Sequence, residues 1–205
     1  MLAAATDFAY MATAVWGRSP LLPWLRRWAQ YRYRRLAPQY DTYIARDDDY
    51  GAPLLAALDR LDGSPRRILD VSTGTGYAAE VAASRYPRAD IAGCDVSMPM
   101  IARARRRMPQ LLVACCDSTQ LPFRDGAFDL VTLLNAPPRL GELARLVAPR
   151  GWLVLGFSTG AAVPAWLRLQ LVQRLRKLHF PNVVWGQAGH GFFLIATRDA
   201  AGVSG

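Results

Sequence analysis

The stretch ILDVSTGTGYAAEVAA, Ile68 to Ala83, restricts the fold more than any other part of the chain. An apolar run of strand character ends at Val71, a loop of Ser, Thr and Gly follows, and an alanine-rich helix begins directly after it. The hydrophobic pattern therefore changes from strand to helix across one short loop. Gly74 and Gly76 can take positive φ or let a ligand approach the backbone, and the N–H groups at a helix start point at whatever lies in front of them. A tight strand-to-helix turn uses the same residues, so the loop alone does not define a site.

The alternation continues along the chain. Strands are expected at RRILDV, ADIAGCDV, LLVACCD, FDLVTLLN, GWLVLGF, NVVWGQ and GFFLIATR. Helices are expected at YAAEVAASRY, MPMIARARRRM, PPRLGELARLVA and PAWLRLQLVQRLRKLHF. The third helix reads as opening on proline, with Leu140, Leu143, Leu146 and Val147 on one face. The fourth carries Leu167, Leu171, Leu175 and Leu178 along one side. The AGHG between the last two strands fits a hairpin. Strands apolar throughout and alternating with helices predict an α/β fold: a doubly wound, seven-stranded, mostly parallel sheet with a terminal antiparallel hairpin strand. Such sheets bind ligands at the carboxyl ends of their strands, beside the first one. That rule selects the loop after Val71, then Asp95, Asp117 and Asn135.

Asp95 ends the second strand, where a carboxylate can accept both hydroxyls of a ribose. Asp117, followed by Ser118, ends the third, where it can accept from an exocyclic amine. Either carboxylate can equally cap a turn. Dinucleotide loops read G-x-G-x-x-G. Here GTGYAA has alanine at the third position, and Asp70 and Asp117 have no part in NAD binding. The lysine of a triphosphate loop is absent from the sequence here.

The segments ILDVSTGTG, GCDVSMPMIARAR and CCDSTQLPFRDGAFDLVTLLNA, followed by ELARLVAPRGWLVLGF, resemble the motifs of class I S-adenosylmethionine-dependent methyltransferases. The resemblance runs from about Tyr40 to Thr197 and is nearest to the small-molecule and lipid branch, which includes ubiquinone/menaquinone C-methyltransferases and bacterial phospholipid N-methyltransferases. LAPQYDTY resembles that branch's lead-in, where an aromatic near the cofactor is common, which singles out Tyr40. The resemblance implies a Rossmann-like fold with S-adenosylmethionine as cofactor. It lays the backbone of Ser72, Thr73, Gly74, Thr75 and Gly76, with Asp70 before it, along the methionine part. It gives the ribose to Asp95, the flanks of the adenine to Val96 and Met100, the adenine edge to Asp117 and Ser118, and the region of the transferred methyl to Asn135. Ser72 stands where glycine is commonest, and a small residue suffices there. Methyl transfer from a sulfonium depends mainly on holding the acceptor close and aligned, and a base is needed only when the acceptor is protonated. Candidates for that base are His190, His179, Tyr31, Tyr40 and Tyr43, none of them singled out. A binding module without transfer activity and an NAD-type oxidoreductase are the alternatives.

Charge bears on the acceptor. The chain of 205 residues carries a net charge of +9. Residues 1–36 hold six Arg and one Asp, residues 37–160 are neutral, and residues 161–205 hold four Arg, one Lys and one Asp. In SPLLPWLRRWAQYRYRR, helical spacing groups Leu21, Trp24, Leu25, Trp28 and Tyr31 on one side, with Arg26, Arg27, Arg34 and Arg35 around the others. Basic amphipathic helices with tryptophan suit an anionic membrane surface, so residues 18–36 and 164–180 are expected to share one membrane face, or else to pack on the domain. Nucleic acid ranks below these, because NAPP at Asn135 is not the N-P-P-[YF] of base-amino methyltransferases. The acids Asp47, Asp48 and Asp49 read as a solvated helix start. Cys94, Cys115 and Cys116 are expected to be reduced, buried thiols in a cytoplasmic protein, peripheral at most, with no metal site. The N-terminal run is interrupted by Asp7, too short to span a bilayer, and without a secretory signal's basic start. Two units are expected: a basic helical segment, 1–39, and the domain proper, 40–205.

Overall fold

The computed structural model describes residues 22–158 and 165–200. Seven strands form one sheet: β1 (Arg67–Val71), β2 (Asp90–Asp95), β3 (Leu112–Cys115), β4 (Phe128–Leu134), β5 (Val147–Phe157), β6 (Asn182–Ala188) and β7 (Gly191–Thr197). Their order is β3-β2-β1-β4-β5-β7-β6. β1 to β5 pair in parallel, and β7 runs antiparallel between β5 and β6. The doubly wound sheet is as expected, with β7 as the reversed strand. Its order reverses at β1 and β4, so the carboxyl ends of β1, β2 and β4 converge on one crevice.

The helices are α1 (Leu22–Leu36), α2 (Tyr40–Ile44), α3 (Ala52–Leu58), α4 (Tyr77–Arg85), α5 (Met98–Arg107), α6 (Leu140–Leu146) and α7 (Ala165–Lys177). Alternation along the strands sends successive side chains to opposite faces. Ile68, Leu130 and Val154 pack with Leu54, Leu58, Ala79 and Ala104 of α3, α4 and α5. Leu69, Val131 and Leu153 pack with Leu143, Leu146, Leu167, Leu171 and Leu175 of α6 and α7. Each fully buried leucine contributes about 2 kcal/mol.

Three local readings change. α6 starts at Leu140, after both prolines, because a proline disfavours helical backbone in the residue before it and Pro138 acts so on Pro137. β5 starts at Val147, four residues ahead of the expected Gly151, and absorbs the extra length through Arg150 at φ 62° and a register shift opposite Phe128 to Leu130. The cysteines are free, but Cys115 is exposed and Cys116 half-buried. Both lie at the end of β3, which is the edge of the sheet.

α1 packs on α5, at the β3 end of the sheet, whereas α7 packs on α6 and β6 at the other end. The two basic regions therefore stand at opposite ends of the sheet. On α1, Ala29 is buried and Trp28 half-buried, while Trp24 and Tyr31 are exposed. Leu21 and the side chains of Leu25 and Arg26 lie outside what is described. Among the described residues, no helix is long and apolar enough to cross a membrane.

Candidate functional site

Asp70 is 1% exposed, and its carboxylate accepts hydrogen bonds from the hydroxyls of Thr73 (2.6 Å) and Thr132 (2.9 Å). Thr132 is its register partner on β4. Burial pushes the Asp70 carboxyl up to about 6, against the pull of the two hydroxyls. The chain then turns through Ser72 (φ 58°), Gly74 (φ 54°) and Gly76 (φ 88°). Ser72 thus holds the left-handed backbone that favours glycine, at about 1 kcal/mol. A Cβ on Gly76 would stand 3.3 Å from Ala104 Cα, so this glycine lets α5 approach the loop. A Cβ on Gly74 would meet only the Tyr40 ring, at 3.8 Å.

Asp95 joins this loop directly. Its carboxylate accepts from the Gly74 N–H at 2.9 Å and the Ser97 N–H at 2.8 Å. The Thr73 N–H reaches the Cys94 carbonyl at 2.9 Å, a second tie between the loop and β2. Burial raises the Asp95 carboxyl despite these backbone donors. Beyond it, Val96 is 43% exposed and Met100 is buried at 2%. Met98, which the sequence did not single out, is 60% exposed. Asp117 accepts from the N–H and hydroxyl of Thr119, at 2.9 and 2.8 Å, and so caps a turn, with Ser118 half-buried beside it. The Cys116 N–H donates to the Asp95 carbonyl at 3.0 Å, which keeps this segment beside β2.

At the end of β4, Asn135 sits at φ 56°. Its side chain accepts from the Ser158 N–H (2.7 Å) and donates to the Ser158 hydroxyl (2.7 Å), which donates to the Tyr50 carbonyl (2.5 Å). The Tyr50 and Tyr40 hydroxyls are hydrogen-bonded at 2.9 Å. Burial raises both phenols. A string of polar contacts thus runs from the ends of β4 and β5 to the ring that covers Gly74. On the flank of the loop, the Thr75 hydroxyl donates to Asp41 at 2.6 Å, and Arg107 bridges Asp41 (2.6 Å) and Glu80 (2.8 Å). An open cleft of about 300 Å³ lies beside these groups, lined by Asp41, Asp47, Tyr50, Tyr77 and Arg107 among others.

Of the five candidate bases, Tyr40 lies against the glycine loop. His190 is exposed at the β6–β7 turn, 3.4 Å from Asp49, and His179 is exposed, 3.9 Å from Asp199. Tyr31 and Tyr43 are exposed on α1 and α2. Sequence reasoning missed Thr132, Tyr50 and Ser158. Ser158 directly follows β5, so the strand-end rule extended by one strand would have reached it. Among the described residues, no cluster of His, Cys, Asp or Glu could hold a metal.

The site fits a nucleoside-bearing cofactor on two structural counts. The Gly74 position is open except for one aromatic ring. The Ser97 hydroxyl, beside Asp95, is buried without a hydrogen-bond partner among the described residues.

A glycine loop joined to a strand-end carboxylate, on this strand order, defines a nucleotide-binding type of doubly wound α/β domain. Residues 68–151 match the family described as "Methyltransferase domain". The chain is 38% identical over 138 residues to the demethylmenaquinone methyltransferase of Thermus thermophilus, covering 60% of this chain and 62% of that one. It is 34% identical over 136 residues to the malonyl-[acyl-carrier protein] O-methyltransferase of Halorhodospira halophila, covering 62% and 46%. The chain thus spans about half to three-fifths of the length of these curated relatives. A SAM-dependent methyltransferase structure from Thermotoga maritima has the same fold, with a TM-score of 0.62 at 18% identity, covering 82% of this chain and 98% of that one. Over residues 68–151 the chain is thus similar to methyltransferase domains, and its fold is one that a solved S-adenosylmethionine-dependent methyltransferase shares.

Proposed function

We propose that this chain transfers the methyl group of S-adenosylmethionine to a small, apolar or lipid-like acceptor. The observation that carries the reading is the hydrogen bond between Asp95 and the Gly74 N–H, which brings the β2 carboxylate and the glycine loop into one crevice. When bound, the cofactor supplies an electrophilic methyl on a sulfonium. The loop backbone from Ser72 to Gly76 holds the methionine part, and Asp95 accepts the ribose hydroxyls. Val96 and Met100 flank the base, and Asp117 with Ser118 meets its edge. Asn135, fixed by two hydrogen bonds to Ser158, borders the methyl, and Tyr40 covers the loop. The chain's own work is alignment and exclusion of water, which is most of what such a displacement requires. The names of the two curated relatives support a quinone-like or a carrier-borne acceptor. The exposed aromatics of the basic flanks favour the lipid-like one. Residues 22–39, the described part of the expected segment 1–39, then form a basic helical addition to the domain that follows.

Isothermal titration with S-adenosylmethionine and with NAD tests the cofactor. Binding of the first and not the second is expected. Asp95→Ala is expected to weaken binding by about tenfold or more, the loss of hydrogen bonds to a charged acceptor. Unchanged affinity in that variant would count decisively against the assignment. Transfer of labelled methyl into quinone and lipid extracts tests the acceptor, and label found only on carrier protein would exclude a lipid-like one.

A further inference from the structure

The geometry points to a docking surface for an anionic lipid bilayer on α7 and β6. Between Glu142 and Asp199 the sequence contains no acidic residue. Within that stretch α7 buries Leu167, Leu171 and Leu175 and turns its opposite face outward. The first half of that face is apolar: Trp166 is 46% exposed and Leu169, one turn on, is 57% exposed. The second half is basic, with Arg176 and Lys177 both exposed. Trp185 of β6, on the flank of α7, is 52% exposed, with the Arg168 guanidinium 5.0 Å from its ring centre.

Part-exposed indoles and an exposed leucine on one side of the molecule are costly to leave facing water, and clusters of exposed apolar groups mark contact sites. Tryptophan beside arginine suits the headgroup level of a membrane, where an apolar body and a polar edge are both satisfied. Cations alongside, with no carboxylate in the same stretch, attract anionic headgroups and disfavour a neutral partner. The placement also has functional sense. α7 begins after β5, whose end carries Ser158, so its apolar half lies toward the carboxyl edge of the sheet that holds the site. A lipid-like acceptor would enter from that edge. Only this purpose rests on the proposed function, because bilayer binding needs neither cofactor nor acceptor.

The test is co-sedimentation of the full chain with phosphatidylcholine vesicles that contain or lack phosphatidylglycerol, without cofactor. Binding to the anionic vesicles is expected, weakening as salt rises. Arg176→Gln with Lys177→Gln is expected to weaken it about 25-fold, about fivefold for each cation removed. Leu169→Ser with Trp185→Ser is expected to abolish the part that resists high salt. All four positions are exposed, and circular dichroism and melting curves establish that each variant is folded. No sedimentation with anionic vesicles overturns the proposal. So does binding that both double variants leave unchanged, or self-association through the open β6 edge that covers the patch. Tighter binding to duplex DNA that ignores Leu169→Ser and Trp185→Ser would assign the surface to nucleic acid instead. Methyl transfer without vesicle binding would overturn this surface and leave the proposed activity standing.

Discussion

Replacing Asp70 by asparagine should remove a pH dependence that the wild-type fold carries. The carboxyl is 1% exposed and pushed up to about 6, from 3.8 for a free side chain, with burial the largest cause. A raised carboxyl binds its proton more tightly in the folded chain than in the unfolded one. Its contribution to stability is therefore complete below about pH 3.8 and is lost as pH rises through about 6. Moving the carboxyl from 3.8 to about 6 corresponds to about 3 kcal/mol. Asparagine does not titrate. Its carbonyl oxygen can accept from one threonine hydroxyl, and its amide can donate to the other once that hydroxyl rotates. Urea unfolding followed by tryptophan fluorescence, at steps from about pH 4 to about pH 8, gives the stability difference between the two proteins. Other titrating groups largely cancel in that difference, except Asp95, which is coupled to Asp70. The variant should gain about 2 kcal/mol on the wild type between the ends of the range, since at about pH 4 the unfolded carboxyl is already more than half ionised. Asp70→Ala gives the contrast. It leaves the buried hydroxyls of Thr73 and Thr132 without their acceptor, at about 1–3 kcal/mol each, and should be less stable than Asp70→Asn throughout. A stability difference between wild type and Asp70→Asn that stays flat across the range would refute the buried, raised carboxylate.

Ser158→Ala removes the hydroxyl that joins Asn135 to the Tyr50 carbonyl and should cost about 1–3 kcal/mol. Hydrogen exchange should then quicken in residues 40–51, and exchange unchanged there would show that this contact does not hold the segment. Gly76→Ala should cost about 1–3 kcal/mol, since φ is 88° and the new methyl would stand 3.3 Å from Ala104 Cα. Thermal melting checks it, and a neutral outcome would mean that α5 is free to move away from the loop.

What the sequence disclosed and what it hid have a common physical cause. The fold was legible because alternating burial is written locally: Ile68 and Leu69 are neighbours in sequence and pack in opposite layers. Asp95 was legible because strand order fixes which strand ends meet the glycine loop, and its hydrogen bond to Gly74 follows from that order. Hidden contacts depend on register or on backbone atoms. Asp70 meets Thr132 because β1 and β4 pair in one particular register, and no local pattern specifies it. Ser158 meets Tyr50 through a main-chain carbonyl 108 residues away, an acceptor that any residue supplies. The helical spacing of α1 was readable, but not which of its sides would meet α5, and Trp24 and Tyr31 stand outward as a result. That outcome bears on function. The helix keeps its aromatics and arginines available at the β3 end of the sheet, while α7 presents its own at the β6 end. A single planar surface can engage both only across the full width of the sheet, at about 5 Å per strand. The vesicle variants on α7 and β6 therefore interrogate one end alone, and any binding left in them is assigned to α1 by neutralising Arg27, Arg34 and Arg35, which are exposed there.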